Sequence, residues 1–141
     1  MVEVKRKGVF AKLRPATLEG VPCLYVDVNS VAAALKDVEE LFRSMAGFPG
    51  RVVLVVDAWH ETHLPLTRRY LELCRKWVVE CVLSESKPAE ALAAELACRD
   101  GCAVLSRDVD VVKAVGNCGV PVFLFLRGRV WLVEPYAAIG I

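Results

Sequence analysis

Three short apolar runs in this chain each stop on an aspartate, and that coincidence limits the folds open to it. Cys23-Leu24-Tyr25-Val26 runs into Asp27-Val28-Asn29, Arg51 to Val56 runs into Asp57, and Cys102-Ala103-Val104-Leu105 runs through Ser106 and Arg107 into Asp108-Val109-Asp110. Runs of this length that are apolar at successive positions, not at alternate ones, suit strands covered on both faces. A strand with only a packing role has no reason to end on an acid. The repetition predicts buried strands that deliver carboxylates to one edge of a sheet.

The segments between these runs read as helices. Apolar residues at Val31, Ala34, Leu35, Val38, Leu41, Phe42 and Met45 recur three and four apart, which predicts one helix from Asn29 or Ser30 through Ala46. Thr62 and Pro65 open a second helix to about Lys76, Ser86 and Pro88 a third over Ala89 to Cys98, and a short one ends at Val115. Further strands are expected at Val78 to Leu83 and Val120 to Leu126, with hairpins around Arg6-Lys7-Gly8 and around Gly128. Strand and helix alternate, so the expected fold is α/β. It is a three-layer sandwich around a mainly parallel central sheet of about five strands, with short edge hairpins at both termini. Residues 1–19 are expected to form a basic hairpin or arm, and residues 20–141 a single domain.

Composition narrows the class. A chain of 141 residues can bury about two thirds of its extended surface. Its mean hydropathy is high, at +0.42, yet no apolar run approaches the roughly 18 residues of a membrane span. The start is charged with no apolar segment behind it, which predicts a cytoplasmic protein without a signal peptide. The net charge of +1 hides an asymmetry, because Lys5, Arg6, Lys7, Lys12 and Arg14 face only Glu3 in the first stretch. A basic arm beside an acidic pocket suits a polyanion, although a solvated hairpin fits the same charges. The six cysteines include no C-x-x-C pair and are read as buried free thiols. Bridges such as Cys98 to Cys102 or Cys74 to Cys81 become relevant in a hyperthermophile. The absence of glutamine, with asparagine only at Asn29 and Asn117, leans towards a thermophilic source.

In open α/β sheets ligands bind beyond the carboxyl ends of the strands. Asp27, Asp108 and Asp110 belong at that edge, Glu90 joins them from the first turn of the third helix, and Asp57 is a candidate fifth acid. Each alone also reads as a helix cap or a turn residue. Together, four carboxylates in one crevice cannot all stay ionised unless cations neutralise them. Their hard oxygens select Mg²⁺ or Mn²⁺ over zinc. Two such ions can activate water and stabilise the leaving oxygen of a phosphodiester.

The order Val26-Asp27-Val28-Asn29, Val55-Val56-Asp57-Ala58, Pro88-Ala89-Glu90-Ala91-Leu92, Leu105-Ser106-Arg107-Asp108-Val109-Asp110 and Gly119-Val120-Pro121-Val122 resembles the PIN-like superfamily of metal-dependent ribonucleases. The Asp-x-Asn opening and Ser-x-Asp-x-Asp ending are most similar to its NYN branch. The resemblance covers roughly residues 22 to 126. It implies Asp27, Glu90 and Asp108 as catalytic metal ligands, with Asp110 a further ligand or a neighbour of one. Asp57 matches an acid present in only some members. Asn29 would orient Asp27 or touch substrate, and Ser106 would hydrogen-bond to the site. Glutamate at position 90, where NYN members often carry aspartate, departs from the pattern.

The implied activity is Mg²⁺- or Mn²⁺-dependent endoribonuclease, with RNA as partner. Family analogy adds a homodimer, for which the apolar tail Ala137 to Ile141 offers a surface, and an inhibitory partner protein in the case of a toxin. The alternative is a PIN-like module without catalysis that binds RNA or serves assembly. A different metal-assisted phosphoryl enzyme is a weaker third reading. Arg107, Lys113, Arg68 and Arg69 are candidates to steer phosphates. Trp59 and Trp131 are candidates to stack bases, whereas Trp77 reads as core. His60 and His63, spaced three apart without a nearby cysteine pair, read as polar contacts at the pocket rim in preference to a structural zinc site.

Overall fold

The computed structural model describes residues 2–134. The strands are β1 (Val2–Arg6), β2 (Val9–Pro15), β3 (Cys23–Asp27), β4 (Arg51–Asp57), β5 (Glu80–Ser84), β6 (Ala103–Ser106), β7 (Val122–Leu126) and β8 (Arg129–Val133). The helices are α1 (Val28–Ala32), α2 (Val38–Ala46), α3 (Leu64–Trp77), α4 (Ala89–Asp100) and α5 (Asp110–Val115), with a 3-10 turn at Glu61–His63 ahead of α3. One sheet of eight strands runs β1-β2-β8-β7-β6-β3-β4-β5. Strands β7, β6, β3, β4 and β5 pair in parallel, whereas β1, β2 and β8 pair antiparallel. The sheet is therefore mixed, and larger than the five strands expected. Its extra width comes from the terminal hairpins, because β2 hydrogen-bonds to β8 from Leu13 opposite Val133 to Pro15 opposite Trp131.

Alternation along the buried strands builds the two outer layers. Leu24, Val26, Leu54, Val56 and Leu105 face Phe42, Tyr70 and Leu73 of α2 and α3. Tyr25, Val53, Val55 and Val104 face the alanine stripe of α4, Ala89, Ala93, Ala94 and Ala97, together with Val111, Val112 and Val115 of α5. Both faces are covered, which is why the strands read as continuous apolar runs. Val4, Val9, Ala11 and Leu13 of the first hairpin pack into the α5 side of the same cluster. Its turn holds Lys7 at φ 51° and Gly8 at φ 75°, the left-handed pair of a two-residue hairpin loop. That geometry aims Lys7 across α5.

Two of the expected elements need correction. The helix expected from Asn29 or Ser30 to Ala46 is two helices, α1 and α2, separated by Ala33–Asp37. Asp37 adopts an extended conformation, φ −108° and ψ 96°, and Glu39 and Glu40 follow in the first turn of α2. Both features favour a fresh helix start over continuation. The strand expected from Val78 starts at Glu80, because Val78 takes φ 55° as the left-handed cap of α3 and is 89% exposed.

The cysteines are not free thiols. The bridges are Cys23–Cys102, Cys74–Cys81 and Cys98–Cys118. Cys23 and Cys102 immediately precede Leu24 and Ala103, which pair across β3 and β6. Strand adjacency, invisible in local spacing, brings them together. The tail Ala137 to Ile141, named above as a dimer surface, lies outside the described residues. Among the described residues no helix is long and apolar enough to cross a membrane.

Candidate active site

Strand order fixes where the acids meet. β3 and β6 are neighbours although β4 and β5 lie between them in sequence. The order of parallel strands reverses at this pair, and a crevice opens beyond the carboxyl ends there. A cleft of about 440 Å³ sits at this edge, lined by Asp27, Asn29, Asp57, His60, His63, Glu90, Asp108 and Asp110.

Asp27, the last residue of β3, forms the floor of the cleft and is 2% exposed. Its Oδ2 accepts a hydrogen bond of 2.7 Å from the Ser106 hydroxyl at the end of β6. Ser106 Oγ in turn accepts from the Asp108 N–H at 3.0 Å. Ser30, on α1, lies 3.1 Å from Ser106 through their hydroxyls and accepts from the Arg107 N–H at 2.9 Å. These bonds lock the exit of β3 to the loop after β6. Burial pushes the Asp27 carboxyl above its ordinary range and the Asp108 charge adds to that, against the hydrogen bonds from Ser106 and Ser30.

Glu90, Asp108 and Asp110 form the wall. Each offers a carboxylate oxygen within 4.8 Å of the others. Glu90 sits in the first turn of α4, and Asp108 Oδ1 accepts from the Asp110 N–H at 2.9 Å to start α5. Glu90 is also raised, first by burial and then by the negative charges of Asp27, Asp108 and Asp110, although a backbone hydrogen bond opposes the shift. Lys7 supplies a counter-charge. Lys7 Nζ lies 3.1 Å from Asp108 Oδ1 and 3.4 Å from Asp110 Oδ2, and these carboxylates hold the ammonium above its ordinary pKa.

Asp57 does not join this wall. Its Oδ2 meets Nδ1 of His60 at 2.7 Å and Nδ1 of His63 at 2.5 Å, and its Oδ1 accepts from the Trp59 N–H at 3.0 Å. Burial alone would raise this carboxyl, but the hydrogen bonds from His60, His63 and Trp59 hold it below its ordinary range. Asn29 Oδ1 accepts from the Asp57 N–H at 2.9 Å, so Asn29 ties the exits of β3 and β4 together. Its Nδ2 is buried without a partner.

The cationic candidates separate too. Lys113 Nζ donates to the Lys7 carbonyl, which holds the hairpin turn in place. Arg107 lines an adjoining cavity of about 260 Å³ with Arg6, Lys7, Ser30 and Asp108. Trp59 is half exposed near the cleft, whereas Trp131 is buried. Trp77 is only partly buried, donating to Glu39 at 2.9 Å. Lys7 and Ser30 were not singled out from the sequence. The basic arm was legible, but no local signal could aim one of its lysines at acids a hundred residues on.

The donor set fits a divalent cation. Three carboxylates converge within reach of one another, a fourth lies behind them, and burial first and the neighbouring negative charges second push two of the four towards protonation.

No family model matches the chain, and no curated protein matches its sequence. Solved structures do match. The catalytic core of Rad2 in complex with DNA substrate aligns with TM-score 0.62 and 18% identity, over 89% of this chain and 51% of that one. A second such complex aligns with TM-score 0.64 and 16% identity, over 92% and 52%. The Holliday junction-resolving enzyme GEN1, in complex with product DNA and Mg²⁺, aligns with TM-score 0.52 and 17% identity, over 79% and 32%. This chain thus spans about half or less of the chains it matches. At these identities the likeness is one of fold, and the fold is an α/β mixed sheet similar to that of the Rad2 catalytic core.

Proposed function

We propose that this chain is a divalent-metal-dependent nuclease that hydrolyses phosphodiester bonds, with RNA as its substrate. The observation that carries the reading is the convergence of Glu90, Asp108 and Asp110 over the buried Asp27 at the strand-order reversal. The fold similarity to Rad2 and GEN1 supports it, and the choice of RNA and of an NYN-type relationship follows the motif order of the sequence. Glu90, Asp108 and Asp110, with Asp27 beneath, would hold Mg²⁺ or Mn²⁺. Such ions supply Lewis-acid activation of water and charge neutralisation at the leaving oxygen.

The remaining work falls to the chain. Ser106 and the loop it fixes keep Asp27 and Asp108 in register. Arg6 and Arg107 line the basic cavity beside Asp108 and offer guanidinium groups to a phosphate backbone. Trp59 presents an indole face near the cleft to an unstacked base. Lys7 balances Asp108 and Asp110 while they lack another cation, and once they are neutralised it is free to turn to a phosphate.

The test is cleavage of labelled single-stranded RNA, single-stranded DNA and branched DNA by the purified chain with Mg²⁺ or Mn²⁺. Controls are EDTA and the Asp27→Asn/Asp108→Asn double variant. EDTA-sensitive RNA cleavage absent from the double variant is the expected result. Cleavage of DNA alone would keep the nuclease and overturn the RNA assignment. Equal cleavage by both proteins would locate the chemistry elsewhere.

Lys7 favours a second reading, because a site neutralised by its own lysine also suits a module that binds nucleic acid without cutting it. Lys7→Ala separates the two. A nuclease should need several-fold less Mg²⁺ for half-maximal rate once the competing ammonium is gone. Its binding should lose about 0.7 from the log–log salt slope on single strands, the share of one phosphate contact. A module should show the change in slope and no cleavage at any Mg²⁺ concentration.

A further inference from the structure

We infer that Asp57, His60 and His63 form a second metal site, for one transition ion of the Zn²⁺, Co²⁺ or Ni²⁺ class, separate from the all-oxygen cluster across the cleft. The sequence Asp57-Ala58-Trp59-His60-Glu61-Thr62-His63 spaces its three donors three residues apart. His60 directly precedes the 3-10 turn and His63 ends it. Three residues per turn stack positions i and i+3 on one side, and the His63 N–H closes that turn on the His60 carbonyl at 3.0 Å. Both imidazoles therefore face the same way, with ring centroids 5.1 Å apart.

They converge on a prepared carboxylate. Asp57 Oδ2, His60 Nδ1 and His63 Nδ1 all lie within 4.8 Å of one another, close enough for one ion to touch all three. The Asp57 side chain is 3% exposed, against 49% for His60 and 38% for His63, so the acid is fixed and the open side faces solvent. Supporting bonds hold it: the Trp59 N–H on Oδ1, the Asn29 amide oxygen on its N–H and the Thr67 hydroxyl on its carbonyl. Partners that orient a ligand without touching the ion are typical of built metal sites.

The donor chemistry separates this site from its neighbour. Two imidazole nitrogens and one carboxylate oxygen suit zinc-class ions, whereas Glu90, Asp108 and Asp110 offer only hard oxygens. Without an ion, both Nδ1 atoms face a single carboxylate oxygen and each must carry its proton there. An ion there takes the Nδ1 lone pairs of two neutral imidazoles, with their protons on Nε2. Three protein donors leave at least one position for water or a phosphate oxygen, and that position opens on the cleft.

The test is a Co²⁺ titration of the full, untagged chain with its disulfides intact, followed by visible absorption. One equivalent should give a d–d band that excess Mg²⁺ leaves in place and one equivalent of Zn²⁺ abolishes. His60→Ala and His63→Ala should each weaken Co²⁺ binding by about 100-fold or more, and Asp108→Asn should leave the band unchanged. Both histidines are partly exposed, so these variants keep the core; His60→Gln, which retains a polar group, should lose the band equally. Three results would overturn the site: no band in the wild type, a band indifferent to both histidine variants, or displacement by millimolar Mg²⁺. A wild type that shows the band but cleaves no nucleic acid with Mg²⁺ or Mn²⁺ would overturn the proposed function and leave this site standing.

Discussion

Asp27→Asn should lower cleavage by about 10³-fold, the scale of losing one preorganised group at a reacting centre, and should raise thermal stability. The two effects have one cause. Asp27 is buried under Glu90, Asp108 and Asp110, and burial lifts its pKa in the folded chain above the unfolded value. A carboxyl with a raised folded pKa costs the fold nothing at low pH. The penalty grows as pH rises through the unfolded and then the folded pKa. Asparagine keeps the shape and still accepts from Ser106, but carries no charge to bury. The gain at pH 7 should be about 1 kcal/mol, or about 3 °C in Tm, and it should vanish below about pH 4. Thermal melts of both proteins in EDTA between pH 3.5 and 8 measure it. An inactive variant that is also less stable at pH 7 would make Asp27 a structural residue.

That combination was partly legible in the sequence. Strands running out towards Asp27, Asp57 and Asp108 were visible because burial on both faces writes continuous apolar runs. Glu90 was visible because Pro88 marks the start of its helix. What separated Asp57 from the others was not visible. Asp27 and Asp57 end parallel strands and Asp108 lies two residues beyond one, and only the 3-10 turn that brings His60 beside His63 gives Asp57 different partners. The role of Lys7 was hidden for another reason: its contact with Asp108 depends on the first hairpin joining the sheet through β8 at the far end of the chain. The break after α1 escaped because Leu35 and Val38 continue the helical spacing, and both still pack on the same core after the chain turns. Local pattern records which face a residue buries, not whether the backbone bends in between.

The second large effect is expected from Cys23→Ala/Cys102→Ala. This bridge joins residues 79 apart, across the β3 and β6 pair that carries the candidate site. If a disulfide acts by restricting the unfolded chain, closing a loop of that length stabilises by about 4 kcal/mol, and its loss should lower Tm by about 10 °C. The other bridges span 20 and 7 residues, so removing Cys98–Cys118 should cost about 3 kcal/mol and removing Cys74–Cys81 about 2 kcal/mol. The prediction is an order, with the longest loop first. Non-reducing melts of the three double variants test it once thiol titration of the unfolded wild type has found no free cysteine. Six titratable thiols would remove the bridges altogether and restore the reading of buried hydrophobes. A reversed order, with Cys74–Cys81 dominant, would place the effect in the native packing of α3 against β5. A dominant Cys23–Cys102 bridge has a functional corollary. The bridge lies at the amino ends of β3 and β6, opposite the candidate site, where the pairing up to Val26 with Leu105 and the Ser106 bond to Asp27 persist without it, so the variant should keep its cleavage rate at every temperature at which it stays folded.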